Sequence, residues 1–395
     1  MAGRVTLIDS MINKIASISI SPFFVENIQK IQLSAIKCAT VIFSKYAEHR
    51  RALLDDILSS LARLPTTKRN LRNYRLSHLQ DDADESDVTC IQMISALVLQ
   101  LVQSVAKIPP PVNNDLRHAA IGEQSLDESV DENQILTTLD LSLQISTLFL
   151  SIFLDKIQGR KEEVDYRPLF ENFIQDLLST VNKPEWPASG EMLTVLGKML
   201  VRNFLARKID ISLRTASLEY LGVVAARLRK DAVTSETDVA DVQPLVNIVD
   251  HGVEREENES DRSLLRRQLQ TVVIQHLNAG KKVDTALDFS LNFSIAQWVK
   301  DLTNEQSAMK NAEECNDQIE ALRIKRDHIH QMINYPPGKE LELSYDDICI
   351  ISRYLSKDRQ FNKSFDTYLL QILSVSNEPA VQIRTKSKFL SFITS

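Results

Sequence analysis

A cluster of cations between residues 63 and 75 has the composition of a phosphate-binding surface. Five positive side chains lie within 13 residues, with Tyr74 among them: Arg63, Lys68, Arg69, Arg72 and Arg75. Guanidinium and ammonium groups neutralise phosphates, and an aromatic ring stacks on bases. Lys68, Arg69, Arg72 and Arg75 are therefore candidate contacts for a nucleic acid or another acidic partner. The alternative is local charge pairing with the acidic run at residues 81–87.

A second group of cations ends a predicted helix. Arg227, Arg229 and Lys230 close the apolar pattern of residues 211–230 and form a second candidate phosphate contact. Positive charge at a helix C-terminus is also favoured by the helix dipole, which explains this group without a ligand. The net charge of −7 argues against indiscriminate DNA coating. It does not prevent local binding, because charges more than about 8 Å apart are screened.

The sequence contains no pattern that predicts catalysis or a metal site. Glycine-rich phosphate loops, nucleophile elbows, zinc-protease motifs and calcium loops are all missing from it. His328 and His330 lie two apart, which directs them away from each other on a helix. Asp346 and Asp347 fit a helix N-terminus, where negative charge is favoured. The four cysteines lack zinc spacing and suit a reducing compartment. We therefore expect no enzyme activity, no cofactor and no metal.

The elements that position these side chains are predicted to be almost entirely helical. Only 9 of 395 residues are glycine, fewer than sheet proteins and glycine-loop enzymes need. The most apolar run, residues 88–108, is interrupted by glutamine and serine, so we interpret it as a buried helix and not a membrane span. Further helical patterns lie at residues 134–157, 166–181, 188–207, 211–230, 262–279, 289–302, 305–334 and 345–356.

Polar breaks divide the chain into three predicted blocks. Helical HEAT-repeat blocks are expected at 1–108, 134–230 and 262–395. An acidic, proline-containing linker at 109–133 and an acidic loop at 231–261 separate them, because these segments hold too little apolar surface to offset ordering entropy. Antiparallel helix pairs in succession predict an all-α solenoid with a curved or hooked shape.

One local pattern resembles the opening of the second helix of a HEAT repeat. Residues 211–221 and 381–390 both begin with an apolar-x-apolar-Arg sequence. In HEAT repeats an Asp and an Arg near this opening bond to neighbouring repeats. The resemblance assigns such an inter-repeat role to Asp210, Arg214 and Arg384.

Several longer runs resemble one family. Residues 165–187 and 214–233 are similar to signatures of the Nipped-B-like cohesin-loading proteins, also called sister chromatid cohesion protein 2. Shorter runs agree with them at residues 21–27, 60–76, 295–298 and 364–369. The resemblance extends from near residue 20 to the C-terminus and is weakest at 231–290 and 303–343.

The resemblance implies a hook-shaped HEAT solenoid in the nucleus that helps to load cohesin onto chromatin, in sister chromatid cohesion, chromosome organisation and transcription regulation. The expected partners are duplex DNA, the cohesin ATPase heads and the kleisin subunit. The chain would stimulate the ATPase of cohesin without hydrolysing ATP itself.

The resemblance also implies a middle-to-C-terminal portion of a longer protein, truncated in its last helix. The segment that binds the small helical-repeat partner of the loader is expected to lie outside this portion. The alternative from the residues alone is a HEAT-repeat scaffold of the transport or phosphatase type, which binds protein and no DNA.

Overall fold

The computed structural model consists largely of helices that pack on their neighbours in the sequence. It describes residues 8–64, 72–76, 89–109, 132–158, 165–206, 211–234, 238–249, 252–255, 259–310, 316–335 and 341–357. The N-terminal part contains α1 (Asp9–Ile20), α2 (Gln29–Lys45) and α3 (Arg50–Ser60). One-turn 3₁₀ helices lie at Ser21–Phe24, Ala47–His49 and Leu61–Arg63.

The remaining elements follow in chain order. Two short strands, β1 (Arg72–Arg75) and β2 (Cys90–Gln92), precede α4 (Met93–Gln103) and the long helix α5 (Glu132–Gln158). The next three helices are α6 (Arg167–Thr180), α7 (Ala188–Leu205) and α8 (Ile211–Thr234). The last five are α9 (Val239–Ile248), α10 (Asp261–Gly280), α11 (Leu287–Lys310), α12 (Asn316–Ile333) and α13 (Tyr345–Lys357).

The all-α prediction is confirmed by this architecture. Helices that are adjacent in the chain pack together, with α1 on α2, α6 on α7, α7 on α8 and α10 on α11. Most of these helices bury one apolar face and leave the other polar, as expected for a stack of helix pairs. The described part of the chain is thus a helical-repeat solenoid with one small strand pair.

Helix α4 lies at the centre of the described core. All of its residues are buried, including Ser95, Gln100 and Gln103, and it packs against α2, α5, α6, α7 and α11. Its apolar side chains each contribute roughly 1.5–3 kcal/mol on burial. The prediction of a buried helix at residues 88–108 is therefore confirmed for Met93–Gln103. It is wrong at the start, where Cys90–Gln92 is a strand, and at the end, where residues 104–108 lie beyond the helix.

The strand pair formed by β1 and β2 was not predicted from the sequence. Strand β1 pairs antiparallel with β2, with Arg72 opposite Gln92 and Arg75 opposite Cys90. The side chain of Tyr74 points inward and packs edge-to-face on Trp186, with ring centroids 5.6 Å apart. Strand β1 is too short to show an alternating apolar pattern in the sequence. The packing of the Tyr74 ring against the core stabilises it.

Helix α5 is long and apolar enough to cross a membrane by length and composition alone. It packs against α3, α4, α6, α7 and α11. Its inward face includes Phe149 and Phe153, which contact Phe170 and Phe173 of α6. We therefore interpret α5 as a core helix of the solenoid.

The expected acidic loop at 231–261 is wrong in part, because it contains α9. Asp238 and Asp241 form a capping box at the start of this helix, and Val242 and Val246 are buried in the core. Two valines one turn apart provide enough apolar surface to dock a ten-residue helix. The division of the chain into three blocks stays a prediction, and residues 358–395 lie outside the described part.

Charged side chains join α10, α11 and α12. Glu305 of α11 lies 2.7 Å from Arg266 and 2.9 Å from Lys325, measured between Oε and the nearest nitrogen. Burial raises the pKa of Glu305, but hydrogen bonds from Lys325 and Arg266 outweigh it and hold the pKa below its usual value. Next to this cluster, Arg267 and Glu259 form an ion pair at 3.2 Å in which both side chains are almost fully buried.

His328 of α12 is buried beside these cations. Burial, together with the charges of Arg267 and Arg266, lowers the pKa of His328 to about 3, and Glu305 acts weakly in the opposite direction. The imidazole is therefore neutral in the folded protein at neutral pH. Within the described residues, no group of three His, Cys, Asp or Glu side chains is placed so that it could hold a metal ion.

We predict that His328 makes stability sensitive to mild acid. Its pKa is lower in the folded state than in the unfolded state, where it is about 6.5. The stabilisation is complete above that value and is lost as pH falls from about 6.5 towards 3, amounting to about 2 kcal/mol between pH 7 and pH 5. Urea unfolding at both pH values should detect the loss, and His328→Leu should flatten it. An equally steep decline in the variant would contradict the assignment.

Candidate nucleic-acid interface

The cations predicted to bind DNA fall on different elements. Arg72 and Arg75 lie on β1, where both are exposed. Arg227 is exposed on α8, and the side chains of Arg229 and Lys230 lie outside the described part, although the helix passes through them. Lys68 and Arg69 also lie outside the described residues. Of the predicted cations whose side chains the structure describes, only Arg72 and Arg75 therefore share an element.

Arg72 has a structural partner that the sequence did not reveal. Its Nε lies 3.3 Å from Oδ1 of Asp176, a carboxylate on α6 that is almost completely buried. The other oxygen of Asp176 accepts hydrogen bonds from Gln92 N at 3.1 Å, Gln92 Nε2 at 2.9 Å and Ser95 Oγ at 2.6 Å. The Arg72 contact is an ion pair and not a well-directed hydrogen bond, because Oδ1 has no hydrogen-bond partner of good geometry.

The Asp176 site joins three elements. Gln92 ends β2 and is the N-cap of α4, so the carboxylate lies at a helix N-terminus, where negative charge and unpaired N–H groups favour it. Burial raises the pKa of Asp176 above its usual value, although the hydrogen bonds and the charge of Arg72 act in the opposite direction. Arg72 therefore serves first to hold β1 against α4 and α6.

Arg75 and Arg63 are both exposed, Arg75 on β1 and Arg63 in the one-turn helix after α3. Arg75 is exposed and pairs in register with Cys90. Burial raises the pKa of the Cys90 thiol, and the charge of Arg75 opposes this effect. The guanidinium of Arg63 lies 4.9 Å from the ring centroid of Phe24 and donates to Ser60 Oγ at 2.9 Å.

Helix α2 presents a lysine face that the sequence analysis missed. Lys30, Lys37 and Lys45 are all exposed, and they fall within about 80° around the helix axis. The helix contains no Asp or Glu between Gln29 and Lys45. The lysines are 7 and 8 residues apart, so they do not stand out as a cluster in the linear sequence. A helical projection that counts charges of both signs would have found them.

Contacts between α2 and β1 connect the lysine face with the predicted cluster. Gln29 Nε2 donates to Asn73 O at 2.6 Å, and Asn73 Nδ2 donates to Gln32 Oε1 at 3.4 Å. Lys30 therefore lies one residue from the point at which α2 touches β1. The start of the lysine face therefore lies next to β1, on which Arg75 is exposed.

Two further cations lie at the other end of α2. Arg50 Nε donates to Phe43 O at 2.7 Å, and Lys107 Nζ donates to Ser44 O at 2.9 Å. They satisfy carbonyls in the last turn of α2 and are favoured by its dipole. Burial and the charge of Arg50 lower the pKa of Lys107. Positive charge thus extends over the full length of α2.

The helix dipole does not explain the second predicted group of cations on α8. Arg227, Arg229 and Lys230 were predicted to end the helix, and its dipole was the alternative explanation to a phosphate contact. Helix α8 continues to Thr234, and its last turn contains no basic residue. The dipole therefore does not account for this group, because the effect is confined to the last turn. Its role as a DNA contact stays a prediction.

Of the predicted inter-repeat residues, Arg214 alone lies in the described part. Its Nε donates to Phe204 O at 2.9 Å, and its guanidinium lies 5.6 Å from the centroid of the Phe204 ring. These contacts join the start of α8 to the end of α7. Asp210 and Arg384 lie outside the described residues, so the proposed ladder between repeats stays a prediction.

The acidic pair Asp346–Asp347 has the structural role expected of it. Both residues lie in the first turn of α13. Asp347 Oδ2 accepts from Ser344 N at 3.2 Å and from Ser344 Oγ at 2.7 Å, and Asp347 N donates back to Ser344 Oγ. This reciprocal bonding caps a helix, and the pair is explained without a catalytic role.

Comparison with known proteins gives relatives that share one name. The chain is 40% identical to Nipped-B-like protein A of Danio rerio over 96% of this chain and 16% of that protein. It is 41% identical to Nipped-B-like protein of Homo sapiens over 96% of this chain and 14% of that protein. It is 30% identical to the Nipped-B protein of Drosophila melanogaster over 97% of this chain and 22% of that protein. The chain spans less than a quarter of the length of these curated relatives.

A solved structure has a similar fold. The C-terminal fragment of the Chaetomium thermophilum cohesin loader SCC2 matches with a TM-score of 0.68 over 99% of this chain and 30% of that chain. The sequence identity in this match is 18%, so the likeness is one of fold. No protein-family model matches the chain.

We predict that Arg72 and Arg75 differ in their effect on stability. Arg72→Gln removes the ion pair of a buried carboxylate and should lower the free energy of unfolding by about 1–2 kcal/mol, a value discounted because Arg72 is partly exposed. Arg75→Gln changes an exposed cation and should alter it by at most about 0.5 kcal/mol. Urea unfolding of both variants measures the difference. Equal losses would contradict the structural role of Arg72.

Proposed function

The chain belongs to the Nipped-B-like family and corresponds to its C-terminal portion, and from this premise we propose that it is a helical-repeat part of a cohesin loader. The observation that carries the proposal is 40% identity over 96% of the chain with a Nipped-B-like protein. The shared fold with the SCC2 fragment supports it. The chain then acts in the nucleus, with cohesin as its protein partner.

In this proposal the chain is a binding scaffold and not an enzyme. Packed helices form a surface that contacts the cohesin ATPase heads, the kleisin subunit and duplex DNA. A surface that binds one state of cohesin more tightly than another shifts the equilibrium towards that state. Such differential binding stimulates ATP hydrolysis by cohesin without any catalytic group or cofactor in this chain. The small helical-repeat partner of the loader binds another segment of the full protein.

We propose that DNA contacts the surface formed by α2 and β1. Lys30 and Lys45 are separated by about 22 Å along the helix, from a rise of 1.5 Å per residue. Duplex DNA carries a charge every 1.7 Å of its axis, so this distance spans many phosphates. Arg63 and Arg75 extend the surface beyond the start of α2. Lys68, Arg69, Arg227, Arg229 and Lys230 stay as further proposed contacts, and Arg72 is secondary because it holds Asp176.

We predict that Lys30→Gln/Lys37→Gln/Lys45→Gln weakens duplex-DNA binding by about 10- to 100-fold at moderate salt. Each lost phosphate contact lowers the slope of log affinity against log salt by about 0.9, so the slope should fall by up to about 3. Fluorescence anisotropy across a salt series, with the purified chain, measures both quantities.

The control is a second triple variant that loses the same three positive charges from other elements. Arg167→Gln/Lys198→Gln/Lys282→Gln removes three exposed cations from the start of α6, from α7 and from the turn after α10. It should retain near-normal affinity, because a long-range effect of net charge is screened. If both triple variants lose affinity equally, α2 is not the DNA surface. If the chain binds no DNA, the protein-scaffold alternative gains support.

The cohesin part of the proposal is tested in a chimera. This chain replaces the matching segment of Nipped-B-like protein A of Danio rerio, and a second chimera carries a Gly–Ser linker of the same length. We predict that the first chimera stimulates ATP hydrolysis by cohesin and its retention on DNA, whereas the linker chimera does neither. Equal activity of the two chimeras would overturn the proposal.

A further inference from the structure

A cavity lies on the inner side of β1, away from the exposed cations. Its volume is about 50 Å³, which is several times the minimum for one water. Its walls come from β1, α4, the turn before α7, the turn between α10 and α11, and the starts of α11 and α13. The lining includes Tyr74, Glu185, Trp186, Val283, Asp284 and Tyr345.

Two carboxylates converge on this cavity. Glu185 and Asp284 both line it. Burial is the main cause that raises the pKa of Tyr74 above its usual value, and the negative charges of Asp284 and Glu185 add to the effect. Both carboxylates are thus close enough to act on one phenol. A site between them has a negative potential.

Glu185 has little positive charge to offset its burial. Its side chain is 14% exposed, and Oε1 lies 3.6 Å from His276 Nε2. Oε2 accepts a hydrogen bond from Tyr345 Oη at 2.9 Å. Lys183 Nζ lies 5.1 Å from the centroid of the Tyr345 ring. A neutral phenol and a histidine compensate a buried carboxylate only in part.

One carboxylate oxygen of Asp284 forms a hydrogen bond within the turn, and the other can accept from a ligand. Its Oδ1 accepts from Ala286 N at 3.0 Å, which fixes the turn before α11. Within the described residues it forms no salt bridge, although Lys281 in the same turn pairs with Asp288 at 2.6 Å. The charge of Asp284 is therefore available to a cation that enters the cavity.

The rest of the lining is aromatic and apolar. Tyr74 and Trp186 pack edge-to-face in one wall, and Tyr345 lies in another. Val283 at the rim is 73% exposed, in the turn between α10 and α11. A flat, weakly hydrated guanidinium suits such walls better than a compact, strongly hydrated ammonium. Val283, which is exposed beside the opening, can pack against an apolar residue next to the cation in a bound peptide.

We propose that this cavity binds an arginine side chain of a partner polypeptide. Glu185 and Asp284 pair with the guanidinium, the aromatic walls contact its plane and its methylenes, and Val283 contacts an apolar residue next to it. The site goes beyond the proposed function and does not depend on it. Its negative charge repels DNA, so the arginine site and the lysine face of α2 bind different partners.

The test uses short peptides and the complete chain. An acetylated, amidated Ala-Leu-Arg-Leu-Ala peptide is titrated while ligand-detected NMR measures binding. The same peptide with Lys or Gln in place of Arg provides the comparison. We expect the Gln peptide to bind at least about tenfold more weakly than the Arg peptide, because it loses the charge-assisted hydrogen bonds, and the Lys peptide to lie between them.

Two isosteric variants locate the site. Glu185→Gln keeps an acceptor for Tyr345, and Asp284→Asn keeps the oxygen that caps Ala286, so both should fold. Together they should weaken the Arg peptide about tenfold or more and remove its preference over the Gln peptide. Asp55→Asn/Asp56→Asn makes the same charge change on the exposed face of α3 and should leave binding unchanged.

The proposal is overturned if the Arg and Gln peptides bind equally, if no peptide binds, or if the α3 variant loses as much affinity as the cavity variant. Binding of duplex DNA by Glu185→Gln/Asp284→Asn is measured in parallel. Normal DNA binding with lost peptide binding supports two separate sites. Loss of both in a variant of normal helicity contradicts the separation.

Discussion

A single buried carboxylate holds together the elements on which the described core depends. Asp176 of α6 accepts three hydrogen bonds at the start of α4 and pairs with Arg72 of β1. Helix α4 is buried on every side and contacts five other helices, so its position affects most of the packing around it. A negative charge at the N-terminus of such a helix satisfies N–H groups that no water reaches. The same contact fixes β1, and with it both faces of the strand.

The two faces of β1 have opposite chemistry. Arg75 points to solvent beside the lysine face of α2, whereas Tyr74 points into the cavity with Glu185 and Asp284. A chain with a net charge of −7 therefore combines a cationic surface with a separate acidic cavity. Because screening confines each surface charge to its surroundings, the net charge says little about either site. The proposed nucleic-acid contact and the proposed arginine site therefore fall on separate surfaces.

Long periodic helices were predictable from the sequence, and short elements were not. The pattern at residues 134–157 became Glu132–Gln158, and that at 345–356 became Tyr345–Lys357, because several turns of apolar spacing define a face. Strand β1 has four residues and α9 has ten, which leaves too few apolar positions for a periodic signal. Arg72 was predicted to bind DNA because its partner Asp176 is remote in the chain. The lysine face of α2 was missed because its members are remote from one another.

The sequence by itself determined the fold class and the family. Few glycines, repeated helical faces and long runs that resemble Nipped-B-like proteins are properties of the linear chain. Only the tertiary structure decided which cations are structural and which are exposed. It also decided which acids share a cavity. The physical reason is that a charge acts on its neighbours in space through burial, hydrogen bonds and Coulomb interaction. Residues that are distant in the chain become such neighbours only when the helices pack.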